Sequence, residues 1–170
     1  MTPDEADRVQ AVAGFYRYLY EGLPLGDLNI WLSESSFLEE LLGKTEFLDL
    51  LSSNVESTSE GRFRANLRNL VERTFPGGLV TLRAKRICQA MLDGSMDVLA
   101  GVRAMSALYH QPGGESVVAQ TWVGLDSETD SFPTPDKYPL WEAIALRAQL
   151  NELERYKATI LEAAKEHLKR

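Results

Sequence analysis

Apolar residues recur along this chain with the period of a helix, and alternation of the kind a strand needs is not sustained anywhere. Val12, Phe15 and Leu19 share one face of a first segment that Gly22 and Pro24 bring to a stop near Glu21. Thr2-Pro3-Asp4-Glu5 supplies its start, with Thr2 as cap, Pro3 in the first turn and Glu5 at the capping-box position. Leu25 to Leu32 predicts a short helix carrying Trp31. Ser35-Ser36-Phe37-Leu38-Glu39 opens another that ends at Gly43, and Thr45 to Leu51 a third. Asn54 to Ser59 reads as a polar loop, with Ser59 placed to cap the next helix, about residues 60–74. There Phe63, Leu67, Leu70 and Val71 form the buried stripe, while Arg64 and Arg68, four apart, lie on another face.

Pro76-Gly77-Gly78 breaks the chain before a helix over Leu79 to Leu92, with Val80, Ala84, Ile87 and Met91 in register. Asp93-Gly94 ends it, and Asp97 to Tyr109 follows with Val98, Val102, Met105 and Tyr109 aligned. Residues 115–138 are the least regular: Val117 to Val123 fits a short helix or a strand, and Leu125 to Asp130 and Phe132 to Pro135 read as an extended loop. Pro139-Leu140-Trp141 opens a final helix reaching about His167, with Leu146, Leu150, Leu153, Ile160, Ala164 and Leu168 on its seam. The expected fold is all-α, a single-domain helical bundle over residues 1–170 with a long C-terminal helix.

Charge changes this picture because it is sorted into blocks. From Glu21 to Glu60 nine acids stand against one base, Lys44. From Arg62 to Arg86 seven bases face one acid, Glu72, and Glu115 to Glu142 is acidic again. Folding does not require such sorting; segregated charge bears on steering and partner choice. The formal charge of −7 disfavours nucleic acid as a partner and suits a basic one. Arg62, Arg64, Arg68 and Arg73 could bind phosphate, but pairing with the adjacent acidic block is the favoured reading. One cysteine, Cys88, rules out an intrachain disulfide, the N-terminus carries no apolar signal region, and no apolar run is long enough to span a membrane. A cytosolic location is the expectation.

Catalytic signatures are weak. Asp126, Glu128 and Asp130 alternate like the start of a calcium loop, but Ser131 and Lys137 stand where Gly and Glu are needed. No metal and no cofactor are therefore expected. His110 and His167, near helix ends, read as capping or solvated cations. Cys88 reads as a small core residue.

Two segments carry a resemblance. Trp31-Leu32, Phe37 to Gly43 and Phe47 to Ser52 are similar to the opening of small acidic bacterial immunity proteins, which neutralise toxins delivered between competing bacteria. Val123 to Asp130, Pro133 and Leu140-Trp141 resemble a motif of uncharacterised helical bacterial proteins. The resemblance implies a non-enzymatic inhibitor that binds a cognate toxin with a basic surface. The residues expected to carry that contact are Trp31, Glu39, Glu40, Glu46 and Asp49, with Asp126, Glu128 and Asp130 as a second patch. The alternatives are an adaptor or scaffold domain that homodimerises through the C-terminal helix, and an enzyme using the Asp126, Glu128 and Asp130 carboxylates with a metal.

Overall fold

In the computed structural model, which describes residues 5–52, 60–133 and 135–170, helix α1 spans Glu5–Tyr20 and turns Ala11, Val12, Phe15, Tyr18 and Leu19 inward. Gly22 ends its C-terminal turn at φ 75°, a conformation that favours glycine, and Leu23 N–H reaches back to the Arg17 carbonyl at 3.1 Å. Helices α2 (Leu25–Glu34), α3 (Phe37–Leu42), α4 (Lys44–Ser52) and α5 (Glu60–Thr74) follow. The expected caps Thr2 and Ser59, and the loop from Asn54 to Ser59, lie outside the described residues. Gly43, at φ 87°, makes the sharp bend between α3 and α4. Phe63, Leu67 and Val71, the stripe expected for α5, are buried.

Backbone contacts divide the chain into two compact units, Met1–Leu82 and Arg83–Arg170, with the division inside helix α6 (Gly78–Leu92). No change in composition marks that point, which is why the sequence reads as one domain. The core of the first unit gathers residues from α1 to the start of α6, including Phe15, Leu28, Leu32, Leu38, Leu67, Val71 and Leu79. Trp31 packs its ring edge-on to Phe15, with centroids 5.2 Å apart. It also lies against Gly14, where an added Cβ would stand 2.1 Å from Trp31 Cζ2.

In the second unit α7 (Val98–Tyr109) is the most buried helix, contributing Val98, Leu99, Val102, Met105 and Leu108 to the interior. Asp97 caps it, its Oδ1 accepting from Leu99 N–H at 3.0 Å and Ala100 N–H at 3.1 Å. Gly101 admits Met91, whose Sδ would be 2.1 Å from a Cβ there. The short helix α8 (Gly114–Val117) and α9 (Thr121–Thr129) pack on α7. A 3₁₀ turn over Pro135–Leu140 precedes α10 (Ala143–Leu168), 26 residues long.

Three expectations are corrected here. Leu125 to Thr129 belong to a helix, not to an extended loop: Trp122, Leu125 and Thr129 share a face that α9 buries. Val117 to Val123 is neither one helix nor a strand but the end of α8, a break and the start of α9. The final helix begins at Ala143, because Pro139 and Leu140 close the 3₁₀ turn before it. The fold is otherwise all-α as expected, with a long C-terminal helix and no strand among the described residues.

Candidate functional site

Glu39 and Glu40 lie in the first turn of α3, where carboxylates favour the helix dipole, and both side chains are exposed. Glu46 occupies the first turn of α4 and is half-buried; Asp49, one turn on, is exposed. Helices α3 and α4 pack on each other, and the second presents two large apolar side chains to solvent: Leu48 is 49% exposed and Leu51 40%. Phe47 and Leu50, their neighbours, face the core. Leu48 and Leu51 are three apart, so they form one outward stripe. Sequence reasoning passed over them; their signal was an apolar pair lying off the buried stripe of the same helix.

Of the basic block on α5, Arg64 is half-buried, while Arg62, Arg68 and Arg73 are exposed. Arg64 donates from Nη1 to the carbonyls of Tyr18 (2.9 Å) and Leu19 (3.2 Å), and from Nε to Glu60 (3.0 Å). Its guanidinium stacks over the Tyr18 ring at 4.5 Å. Arg68 lies over Tyr20, 5.5 Å from the ring centroid, and Arg73 pairs with Glu46 at 3.4 Å. Arg64 and Arg73 therefore meet members of the acidic block, as the charge sorting implied. The cost falls on Glu46, whose carboxylate is already engaged. Trp31 is only half-buried, but its ring is committed to Phe15 and Gly14.

The second acidic group is distributed by its helix. Asp126 and Glu128 are two residues apart on α9, a spacing that points them to different sides, while Asp130 caps its C-terminal end. Among the described residues no three Asp, Glu, His or Cys side chains lie together in a way that could hold a metal ion. Glu128 and Asp130 also stand at the negative end of the helix dipole, and α9 carries no base in its last turn. These charges thus make the local potential more negative without supporting the helix.

The two histidines differ. His110, at the C-terminal cap of α7, is exposed, as expected. His167 is not a solvated cation: it is buried in the last turn of α10, and its Nδ1 has no hydrogen-bond partner among the described residues. Burial, then the charges of Arg170 and Lys85, push its pKa below the ordinary 6.5. Cys88 is fully buried, as expected of a core residue, and burial pushes its thiol up to about 12. Among the described residues no helix is long and apolar enough to cross a membrane.

No protein-family model, no curated protein and no solved structure matches this chain.

Proposed function

We propose that the chain is a non-enzymatic immunity protein, which neutralises a cognate antibacterial toxin in the bacterial cytosol by binding its basic surface directly. The observation that carries this reading is the division of labour in the first unit. Arginines of α5 are used on α1 carbonyls, tyrosine rings and Glu46, whereas Glu39 and Glu40 stay exposed on α3, with Leu48 and Leu51 exposed on the neighbouring α4. Exposed carboxylates steer a basic partner, and exposed apolar side chains on the adjoining helix supply a desolvated contact that holds it. Asp126, Glu128 and Asp130 are spread around α9 and its C-terminal cap, so in this reading they add negative potential there rather than a single second patch. Trp31 acts in it by supporting α2 rather than as an exposed anchor.

The test begins with the partner, isolated from the native organism on the immobilised chain and then purified. Producing it in cells with and without this chain measures protection. Association rates are then compared for wild type and the double variant Glu39→Lys, Glu40→Lys across a salt series. Glu46 is left in place because its reversal would set Lys against Arg73. The variant should associate much more slowly at low salt, and the gap should close as the screening length shortens to about 8 Å near physiological ionic strength. Each exposed substitution should change stability by only about 0.5 kcal/mol. A partner that is harmless to cells, or equal rates for a folded variant, would overturn the reading.

A further inference from the structure

Helix α10 buries only part of its length. Its buried residues are Leu153, Ile160, Ala164 and His167, all in the C-terminal two-thirds. Across the first ten residues, 143–152, no side chain is buried. Ile144 is 78% exposed, and Leu140, just before the helix, is 83% exposed, more than any other large apolar residue among those described. Ala143, Ile144, Arg147, Ala148 and Asn151 line an open depression there. Ile144 and Leu153 are nine positions apart, which is two and a half helical turns, so they point to opposite sides. The outward seam continues from Ile144 through Ala148 and Asn151 to Arg155, at the four- and three-residue spacing of a helix pair.

We propose that this face seats the same face of a second copy, with the two α10 segments antiparallel. The charges argue for a second copy over the basic partner of the α3–α4 surface. This face carries both signs, Arg147 and Arg155 with Glu152 and Glu154, all exposed, and an isologous contact needs a self-complementary set. They also fix the direction. A parallel pair would set Arg155 of one copy against Arg155 of the other. An antiparallel pair that places Ala148 opposite the second copy's Asn151 lays the Arg155 stem along Ile144. On the flank it brings Arg147 towards the second copy's Glu154, and by symmetry this happens twice. Glu154 already accepts from Lys157 at 2.5 Å, and a carboxylate has room for both donors. A contact of about three turns buries less than the roughly 800 Å² per partner of a standard interface, so the pair forms reversibly at high protein concentration.

Sedimentation of the full chain from micromolar to millimolar concentration should show the mass rising from 19.0 kDa towards twice that value. Ile144→Glu should abolish the rise while leaving the circular dichroism spectrum unchanged. Arg147→Glu and Glu154→Arg should each remain monomeric alone, because each sets like charges opposite one another. Mixed together they should pair, since both contacts are then of opposite sign. That recovery also shows that neither variant had failed to fold. A wild-type chain that keeps the mass of one copy throughout would overturn the proposal. So would a mixture that stays monomeric while the wild type pairs. Pairing of Arg147→Glu with Glu152→Arg, in place of Glu154→Arg, would overturn the antiparallel direction.

Discussion

Arg64 caps helix α1 through Tyr18: its Nη1 donates to the Tyr18 carbonyl at 2.9 Å while its guanidinium covers the ring of the same residue at 4.5 Å. The carbonyls of Tyr18 and Leu19 belong to the last turn of α1, where no intrahelical donor remains for them. A cation there also meets the negative end of the helix dipole. One side chain on α5 thus finishes a helix more than forty residues earlier in the chain.

Arg64→Ala should therefore destabilise the fold by about 1.5–3 kcal/mol, the range for hydrogen bonds that involve a charged group. Arg64→Lys should recover only part of this, since an ammonium cannot bridge both carbonyls and stack on the ring. Urea unfolding curves give both values. Tyr18→Phe should be neutral or slightly stabilising by the same measurement, because the Tyr18 hydroxyl is buried without a partner among the described residues.

Gly14→Ala should cost about 1–3 kcal/mol by overpacking, since the new Cβ would stand 2.1 Å from Trp31 Cζ2. Displacement of the indole should shift the tryptophan fluorescence maximum. Gly26→Ala, in α2, meets nothing within 4 Å and should instead stabilise by about 0.4–1 kcal/mol. Equal thermal midpoints for the two variants would show that the Gly14–Trp31 contact is not rigid.

Acid should weaken the second unit through His167. Its folded pKa lies below the ordinary 6.5, lowered by burial and then by Arg170 and Lys85. The unfolded chain therefore binds the proton more readily, so stability is held above pH 6.5 and lost as the pH falls below it. Urea midpoints measured on either side of that value should fall towards acid in the wild type. His167→Leu removes the titrating group and should flatten the part of the slope that arises there.

Cys88 should resist thiol reagents in the native protein. With its thiol pushed up to about 12 and its side chain buried, almost no accessible thiolate exists at neutral pH. Labelling should be slow in buffer and rapid in denaturant. Rapid labelling in buffer would mean that α6 opens locally.

Much of the fold was legible in the sequence. Helical period alone located α1, α5, α6, α7 and most of α10, because each turns a stripe of Val, Leu, Ile, Phe or Met to one side, and Gly or Pro follows the first four. The sorted charges were equally visible, as was the pairing they implied for Arg64 and Arg73. Helix α9 was not. Val123, Gly124, Asp126 and Ser127 are poor helix formers, and the segment becomes helical because Trp122, Leu125 and Thr129 are buried on α7. His167 looked like a solvated cation because its polarity is written in the sequence and its burial is not. Only the tertiary structure separated Glu39 and Glu40, which stay free of the α5 arginines, from Glu46, which Arg73 holds. It alone turned Leu48, Leu51 and Ile144 outward. Period and charge are properties of neighbours along the chain, whereas burial and pairing depend on segments that meet only after the chain has folded.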